Sequence, residues 1–395
     1  MSDNKKMKIG FFIAALLNHG GGAEKHFIMM GNAMAKKGHE IGIVNLDKSF
    51  YKKLSIILSI YYASNLTFIR YRDADVRKML HNVKWLKVEF KKLRKNLQKF
   101  DVIYVKNEIL DLGILKLIGF KKLPPVIVGI HTPIFYPITS SFYSRLHNFF
   151  YSSCFYRWLI KDCKAIRISN SELQNLVSKR YPFFKGKVFK IFNPIDIRKF
   201  KPEKKLKEKN KKFKILFVGR LTEQKGIDML IETIKDLSKK PIFKNLIFVI
   251  AGSGKFGNKI SNLQKKFNNL TWLGHVLPHN IVRLYSSSDI LIAPSKWEGL
   301  SNVILEAQSC GLPAIVSNIA GSRDIIINNS TGFLVNNSAK EFVSKITSFY
   351  LLKEKNKKRF ISFSVRAREN IEKRFSPDKT IAQLEKMFFT SNNIK

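Results

Sequence analysis

The sequence predicts an α/β protein made of two doubly wound, Rossmann-like halves with a cleft between them. Short apolar runs alternate with helical stretches, starting at Lys8–Leu16 and again at Lys214–Gly219. This alternation is typical of parallel βαβ units. Between the two series lies Lys199–Lys214, a lysine-rich segment that is poor in apolar residues and has the composition of a linker or exposed hinge. The chain therefore divides into two similar halves.

Length and charge limit the functions that are possible. A chain of 395 residues is long enough for two domains of ordinary size. Its 71 Lys and Arg residues against 29 Asp and Glu residues give a net charge of +42. Such a surface attracts phosphates, whether in nucleic acid, anionic lipid or a diphosphate-bearing substrate. Three scattered cysteines form neither a disulfide framework nor a paired zinc motif, which fits a reducing cytoplasm.

The N-terminus resembles a signal peptide at first sight, because lysines precede the apolar run IGFFIAALL. However, NHGGGAEKH follows the run where a small-residue cleavage site would be expected. We therefore interpret Lys8–Leu16 as a buried first strand. No segment reaches the 18 or so apolar residues of a spanning helix, so any membrane contact is expected to be peripheral, on the cytoplasmic face.

The first half begins with a βαβ unit. The predicted order is the strand Lys8–Leu16, a tight loop at Gly20–Gly22, a helix over Ala23–Lys37 and the strand HEIGIVNL. Backbone N–H groups of the glycine loop can point at an anion near the helix N-terminus. GGGAE by itself is weak support for such a site, since a plain turn explains it about as well.

A basic helix is predicted over Ala74–Phe100, where many lysines accompany an apolar stripe. Two interpretations stay open, an anionic membrane surface and a solvated helix whose apolar stripe packs on the sheet. Asp73 and Asp75 form a DxD pattern just before it, but no clear apolar strand precedes them. We therefore do not interpret the pair as a metal site.

Two further apolar strands, DVIYV and PVIVGI, complete the centre of the first half. His131 follows the second strand directly and so lies at the carboxyl edge of the sheet, where α/β active sites gather. The aromatic-rich stretch Phe135–Ile160 is compatible with core packing and with contact to an apolar acceptor tail. AIRISNSE is predicted to hold the last strand of this half.

The second half repeats the pattern. KILFVG is a strand, RLTEQKG a loop and IDMLIETIKDL a helix, followed by the strands IFVIAGSG, NLTWLGHV and DILIAP. A helix is predicted over Ala339–Tyr350, and a last helix starts at Phe375-Ser376-Pro377 with no strand after it. The predicted domains are residues 1–193, a linker at 194–212, a second domain at 213–375, and a C-terminal helix at 376–395 that packs back on the first domain.

Two glutamates follow the strand DILIAP. Glu298 lies on a glycine-containing loop, and Glu306 lies eight positions on in the next helix. A helix over Asn302–Cys310 places Asn302, Glu306 and Ser309 on one face, where polar side chains need a partner or water. Eight helical residues rise about 12 Å, more than the roughly 5–9.5 Å between glycosidase carboxylates. We therefore expect the glutamates to hold opposite ends of an extended ligand; the alternative is a surface glutamate and a solvated helix face.

Taken in order, GGGAE, HTP, VGRLTEQKG, AGSG and EGLSNVILEA resemble the family-4 retaining glycosyltransferases of GT-B fold. The resemblance covers nearly the whole chain. EGLSNVILE is similar to the family's E-x7-E element, and GRLTEQKG to its Arg and Lys loop. The resemblance implies a metal-independent hexosyltransferase without a cofactor. It would move a sugar from a nucleotide-diphosphate donor to a saccharide or lipid-linked saccharide in surface polysaccharide or glycolipid assembly.

The resemblance also implies roles for individual residues. Arg220 and Lys225 would hold the donor diphosphate, Glu306 the ribose hydroxyls, and Glu298 and His131 would contact the donor sugar. His131, Glu298, Arg220 and Lys225 are thus the expected catalytic residues. The remaining expected donor contacts come from backbone: Gly21 and Gly22 at the diphosphate, Gly252 and Gly274 at the base, and Gly299, Leu300 and Ser301 beside the sugar and phosphate.

Two other classes of function are compatible with the sequence. One is a basic nucleic-acid-binding or membrane-binding protein on an inactive GT-B scaffold, although no RNP, zinc-finger or helix-turn-helix pattern is present. The other is a nucleotide-sugar hydrolase or epimerase that needs no acceptor. A UDP donor and a GDP donor are equally compatible with the motifs.

Overall fold

The computed structural model of the protein describes residues 6–13, 22–45, 88–105, 109–130, 142–203, 212–277 and 279–393. The chain forms two compact units. The first unit contains Met1–Ile168, Leu176–Lys190 and Gln383–Lys395, and the second contains Ser169–Asn175 and Ile191–Ala382. Each unit is built around its own parallel sheet.

The sheet of the first unit has six described strands in the order β2-β1-β3-β4-β5-β6, and every pair is parallel. β1 lies between β2 and β3, with Ile9 opposite Ile41 and Val102. Four of the strands are buried almost throughout, as expected for a sheet covered on both faces. The strands are β1 (Lys8–Ile13), β2 (Glu40–Asn45), β3 (Val102–Val105), β4 (Val126–Ile130), β5 (Ala165–Ile168) and β6 (Lys187–Lys190).

Six helices accompany this sheet in the described ranges. They are α1 (Gly22–Lys36), α2 (88–97), α3 (Leu110–Leu117), α4 (Phe142–Ser152), α5 (Cys154–Ile160) and α6 (Ser171–Arg180). The predicted helix Ala23–Lys37 is confirmed to within one residue, and Gly38 has a φ of 91°, the left-handed conformation that favours glycine after a helix end. In α2, Leu93 and Leu97 are buried. This part of the basic stretch therefore uses its apolar side for packing, while residues 74–87 of the predicted helix lie outside the described residues.

The end of the chain contributes to the first unit as well. Phe388 lies 6.3 Å from the ring of Phe11 and 6.0 Å from that of Tyr104, measured between centroids. Nε2 of His39 lies 3.0 Å from Oε1 of Glu385. These contacts anchor residues 383–393 on the first sheet.

The second unit has six described strands in the order β12-β11-β10-β7-β8-β9, again all parallel. The strands are β7 (Phe213–Val218), β8 (Leu246–Ala251), β9 (Leu270–Trp272), β10 (Ile290–Ala293), β11 (Ala314–Ser317) and β12 (Gly332–Val335). The helices are α7 (Ile227–Ser238), α8 (Gly257–Lys266), α9 (Ile281–Ser287), α10 (Asn302–Ser309), α11 (Ala320–Arg323), α12 (Ala339–Lys355) and α13 (Lys357–Phe375). A last helix, α14 (Pro377–Asn392), begins in the second unit, and its residues from Gln383 onward belong to the first. Within the described part of the chain, no helix combines the length and apolarity needed to cross a bilayer.

Alternate residues of these strands face opposite helical layers. In β7, Ile215 and Phe217 join one buried apolar cluster, and Leu216 joins the other. The strand order reverses between β7 and β10, which are neighbours although β8 and β9 come between them in the chain. Ligands of doubly wound sheets bind at such a switch point, outside the carboxyl ends of the strands. The loops after β7 and β10 therefore form the expected ligand edge of this unit.

The two parallel sheets confirm the predicted α/β class, and two details of the prediction are wrong. AIRISNSE does not hold the last strand of the first sheet, because KVFK forms β6 alongside β5, with Val188 opposite Ile166. β6 was missed because its flanking lysines are exposed and it is an edge strand. The helix predicted to end at Tyr350 continues to Lys355, and α13 follows it, since Phe360, Phe363, Ala367 and Ile371 recur at helical spacing and are buried.

Candidate functional site

The loop after β7 brings two cations to the start of a helix. The chain passes Gly219 and the exposed Arg220, forms a short 3-10 turn at Glu223–Lys225, and enters α7 through Gly226. Gly226 has a φ of 67°, and a Cβ there would lie 1.8 Å from the carbonyl oxygen of Pro294. Only glycine lets the two loops approach so closely. The first-turn N–H groups of α7 have no partner within the helix, so this end favours an anion.

The loop after β10 holds Glu298, whose side chain is only 9% exposed. Its Oε1 lies 2.5 Å from Nζ of Lys225 and accepts a hydrogen bond from Oγ of Ser295 at 2.6 Å. Burial raises the pKa of the Glu298 carboxyl, but the Lys225 charge and hydrogen bonds from Lys225, Ser295 and Ser301 outweigh it, so that the pKa lies below its ordinary value. The carboxylate is therefore ionised at neutral pH, and the alternative of a surface glutamate is wrong.

Gln224 ties the two loops together. Its carbonyl oxygen accepts a hydrogen bond from the backbone N–H of Lys296 at 2.8 Å, and its Nε2 donates to the carbonyl of Trp297 at 3.2 Å. Its Oε1 accepts from Nη2 of Arg220 at 3.2 Å, and Lys296 pairs with Glu223 at 3.1 Å. The Arg220 guanidinium is thus oriented by a side chain that is itself fixed to the neighbouring loop.

Glu306 lies on α10 and has a buried phenol as its partner. The hydroxyl of Tyr285 donates to Oε2 of Glu306 at 2.8 Å. Burial, and then the nearby Glu306 charge, raise the pKa of Tyr285 well above its ordinary value of 10.0, so the phenol remains a donor. On the same helix face, Oγ of Ser309 donates to the carbonyl of Phe200 at 2.6 Å. The polar face predicted for this helix therefore has partners.

The predicted base-pocket glycines lie after β8 and β9. The N–H of Gly252 donates to the carbonyl of Gly274 at 2.6 Å. Gly252 has a φ of 144°, and a Cβ there would lie 1.8 Å from the carbonyl oxygen of Gly219. At Gly274 the φ is 64°, and a Cβ would meet nothing within 4 Å. Gly252 is therefore required by close backbone packing, whereas Gly274 borders open space.

The structure brings most of the predicted donor residues to one edge of one sheet. Arg220, Lys225, Glu298, Gly252 and Gly274 all follow the carboxyl ends of β7, β8, β9 or β10. The backbone of Gly299, Leu300 and Ser301 leads from Glu298 into α10, and the carbonyl of Gly299 accepts from Nδ2 of Asn170 at 2.8 Å. In the first unit, Gly22 is the first residue of α1. Gly21, His131, Asp73 and Asp75 lie outside the described residues, and within the described part no cluster of three metal-binding side chains occurs.

Sequence reasoning missed the residues that hold this site in place. Ser295 stands three positions before Glu298, a spacing that allows a local side-chain bond and was a usable signal. No sequence pattern pointed to Tyr285, because it contacts Glu306 from a different helix, 21 positions earlier in the chain. None pointed to Asn170 either, since its partner Gly299 is 129 positions away.

Replacing Tyr285 with phenylalanine is expected to lower the free energy of unfolding by about 1.5–3 kcal/mol, the range for a hydrogen bond to a charged group. The change removes the hydroxyl that donates to the Glu306 carboxyl. Urea unfolding at neutral pH measures the effect. The matched control is Tyr350→Phe, which removes a hydroxyl that accepts from the neutral amide of Asn245 and should cost about 1 kcal/mol or less. Equal losses in the two variants would contradict a special role for the Tyr285 hydroxyl.

Two protein-family models match the chain in succession. The model for "Glycosyltransferase Family 4" matches residues 20–199, and the model for "Glycosyl transferases group 1" matches residues 198–364. The two matches follow one another across both units, in the order expected from the sequence motifs.

Known proteins are similar to the chain at several levels. An Escherichia coli UDP-Gal:α-D-GlcNAc-diphosphoundecaprenol α-1,3-galactosyltransferase is 34% identical over 176 residues, which cover 40% of this chain and 44% of that protein. An uncharacterised glycosyltransferase of Methanocaldococcus jannaschii is 25% identical over 97% of this chain and 98% of its own length. The crystal structure of Anabaena HepE in complex with UDP and glucose superimposes with a TM-score of 0.66 and 16% identity, covering 97% of this chain and all of that one. This last likeness concerns the fold.

Proposed function

The chain belongs to the family-4 glycosyltransferases and has their GT-B fold, and from this premise we propose that it is a retaining, metal-independent glycosyltransferase. It takes a sugar from a nucleotide-diphosphate donor and transfers it to a saccharide or lipid-linked saccharide. The observation that carries the proposal is the pairing of two loops at the switch point of the second sheet. These loops hold Arg220, Lys225 and Glu298 next to the start of α7.

The diphosphate of the donor is assigned to Arg220, Lys225 and the N-terminal end of α7. As the sugar departs, negative charge builds up on the diphosphate, and cations fixed in place stabilise it without reorganising. Arg220 is exposed and held by Gln224, so its guanidinium is available for an anionic ligand. The Lys225 ammonium is oriented by Glu298. Gly21 and Gly22 are proposed to bring backbone from the first unit to the same diphosphate.

The nucleoside and the sugar are assigned to the two glutamates. Glu306 accepts hydrogen bonds from the ribose hydroxyls, and the hydroxyl of Tyr285 holds its carboxylate in place. Glu298, which is ionised and fixed by Lys225 and Ser295, accepts from hydroxyls of the donor sugar. The backbone N–H groups of Gly299, Leu300 and Ser301 contact the sugar and phosphate, and Gly252 and Gly274 border the base.

The proposed reaction is a displacement on one face of the sugar. The bond from the anomeric carbon to the diphosphate oxygen breaks, and the acceptor hydroxyl oxygen bonds to the anomeric carbon on the same face. The acceptor proton passes to the departing phosphate oxygen, so that the products are a glycoside and a nucleoside diphosphate. His131 is proposed to contact the donor sugar and position it. Orientation and fixed charges supply the rate enhancement in this scheme.

Two observations support a choice of substrates. The E. coli relative is named for a UDP-galactose donor and a sugar acceptor on diphosphoundecaprenol, and the Anabaena structure holds UDP. We therefore propose UDP as the donor nucleotide and a lipid-linked saccharide as the acceptor, in surface polysaccharide or glycolipid assembly. The net charge of +42 suits a diphosphate-linked acceptor held near an anionic membrane.

A thermal-shift screen of the purified protein with UDP, GDP and common nucleotide sugars tests the donor assignment. UDP at 100 times its dissociation constant should add about 2.7 kcal/mol of stability. We expect Glu306→Ala and Arg220→Ala to abolish most of this gain, because each removes a charged contact to the nucleotide. The matched controls are Glu354→Ala and Arg359→Ala, exposed residues of α12 and α13, which should keep the full shift.

Two results would contradict the assignment. If no nucleotide stabilises the wild-type protein, it has no donor site of this kind. If UDP stabilises all four variants equally, the site lies elsewhere. UDP-sugar turnover that never needs a saccharide acceptor would instead favour a hydrolase or epimerase.

A further inference from the structure

The first unit exposes large apolar side chains on three helices, α3, α4 and α5, and α5 packs against the other two. The side chains are Leu117 at the end of α3, Phe149 on α4, and Phe155 and Trp158 on α5, and we call this set the aromatic face. Phe149 is 73% exposed and Leu117 63%. The rings of Phe155 and Trp158 stack with centroids 5.5 Å apart. A cluster of large exposed apolar side chains marks an interaction surface, whereas isolated ones do not.

A lysine-lined cavity of about 450 Å³ lies next to this face. Its walls come from the residues that precede β4, β5 and β6, and they include Phe120 and four lysines, Lys121, Lys161, Lys164 and Lys185. The cavity therefore lies at the amino ends of the parallel strands. This edge of the first sheet is opposite to the one where ligands of doubly wound sheets bind.

Lys116 joins the aromatic face to the cavity. Its side chain is buried, and its ammonium pairs with the Asp162 carboxylate in the cavity wall. The same ammonium lies 5.2 Å from the Trp158 ring centre and 4.7 Å from that of Phe120. Cation–π contacts of this kind hold the rings in place. The aromatic face and the cavity therefore form one surface.

The charge of this surface is strongly positive. The segments 116–125, 157–164 and 185–187 contain eight Lys and Arg residues and a single acid, Asp162. Since Lys116 neutralises Asp162, the lysines that line the cavity face no acid of these segments. A group with several negative oxygens would be the complementary ligand.

We propose that this surface docks on an anionic phospholipid bilayer. The lysine-lined cavity receives headgroup phosphates, while the aromatic face enters the interfacial layer, where tryptophan and other aromatic side chains are favoured. Lysines near an anionic leaflet add attraction. A protein partner fits less well, because the centres of protein interfaces are poor in lysine. In the described part of the basic helix α2, Leu93 and Leu97 are buried and provide no apolar face for a bilayer. The proposal does not depend on the proposed glycosyl transfer.

Flotation of the full-length protein with phospholipid vesicles tests the docking surface. We expect binding to vesicles containing phosphatidylglycerol and little binding to phosphatidylcholine alone. Lys121→Gln combined with Lys161→Gln should lower binding about 25-fold, from about fivefold for each lysine. Phe149→Ser combined with Phe155→Ser should lower vesicle binding at least about tenfold, because the variant has no aromatic rings at these positions to bury in the interfacial layer.

Matched control variants on the second unit distinguish binding by this surface from non-specific electrostatic or hydrophobic binding to vesicles. Lys265→Gln with Lys266→Gln removes two exposed lysines of α8, and Ile361→Ser with Val365→Ser removes two exposed apolar side chains of α13. Both control variants should float like the wild type. The proposal is overturned if the test and control variants lose binding equally, or if the wild type floats equally well without phosphatidylglycerol. It is also overturned if the surface variants lose binding to a single-stranded RNA but not to vesicles.

Tryptophan quenching provides a second measurement that depends on Trp158 itself. Phosphatidylglycerol with brominated acyl chains should quench part of the tryptophan fluorescence, and Trp158→Phe should remove that part. Unchanged quenching in Trp158→Phe would contradict insertion of the aromatic face. The thermal shift with UDP is measured on the same variants and should be unaffected, so that failure of the docking surface and failure of the donor site remain distinguishable.

Discussion

Replacing Lys225 with methionine is expected to lower the free energy of unfolding by about 3–5 kcal/mol at neutral pH, the range for removing one partner of a buried ion pair. The Lys225 and Glu298 side chains are only 16% and 9% exposed, and their charged atoms lie 2.5 Å apart. Methionine fills a similar volume but leaves the buried Glu298 carboxylate without a counter-charge. Under the proposed function the variant also loses a cation from the leaving diphosphate, which we expect to lower the rate of transfer about 10²–10³-fold.

The loss of stability in Lys225→Met should depend on pH. In the wild type the pKa of Glu298 lies below its ordinary value of 4.5, so its ionised form contributes stability above that pH, and this contribution is lost as pH falls through the folded-state pKa. In the Lys225→Met variant, burial still disfavours the ionised Glu298 carboxylate, but the Lys225 charge no longer opposes this effect. The pKa of Glu298 is therefore expected to rise above 4.5. The variant therefore loses stability as pH rises from about 4.5. Urea unfolding of both proteins at roughly pH 4 and pH 7 measures this divergence.

The control for Lys225→Met is Lys296→Met, which removes a second ion pair between the same two loops. Lys296 and Glu223 lie 3.1 Å apart but are both partly exposed, so the cost should be about 1 kcal/mol or less and nearly independent of pH. A pH-independent loss in Lys225→Met, or equal losses in the two variants, would show that Glu298 does not depend on Lys225.

Replacing Gly226 with alanine is expected to lower the free energy of unfolding by more than about 3 kcal/mol, because the new Cβ has no room. It would lie 1.8 Å from the carbonyl oxygen of Pro294, and a backbone carbonyl cannot rotate away as a side chain does. Relief requires the loops after β7 and β10 to move apart. That movement would separate Lys225 from Glu298, so the UDP thermal shift should fall together with the stability.

Gly274→Ala is the matched control for the steric argument. Gly274 has a φ of 64°, close to the 67° of Gly226, but a Cβ there meets nothing within 4 Å. Alanine at Gly274 should therefore cost only the conformational penalty of about 1–2 kcal/mol. If urea unfolding gives the same loss for both variants, the close approach of Gly226 and Pro294 does not determine the stability of these loops.

Several features of the fold and the candidate site were predictable because they depend on short stretches of sequence. Each βαβ unit is a local pattern of apolar strand, turn and amphipathic helix, so the α/β class followed from the order of these patterns. Arg220 and Lys225 were identified from the resemblance of GRLTEQKG to the family's Arg and Lys loop. Glu298 and Glu306 were identified from their positions after the strand that forms β10. Boundaries were less certain where apolar periodicity weakened, as at β6 and α13.

The sequence by itself therefore determined the two parallel sheets, the loops of the candidate site and the family to which the chain belongs. Only the tertiary structure decided which of these residues meet. Lys225 pairs with Glu298 across 73 positions because β10 is the neighbour of β7 in the sheet, although β8 and β9 intervene in the chain. Tyr285 reaches Glu306 only because α9 and α10 pack together. Such contacts depend on strand order and helix packing, which come from burial over the whole unit and leave no local trace in the sequence.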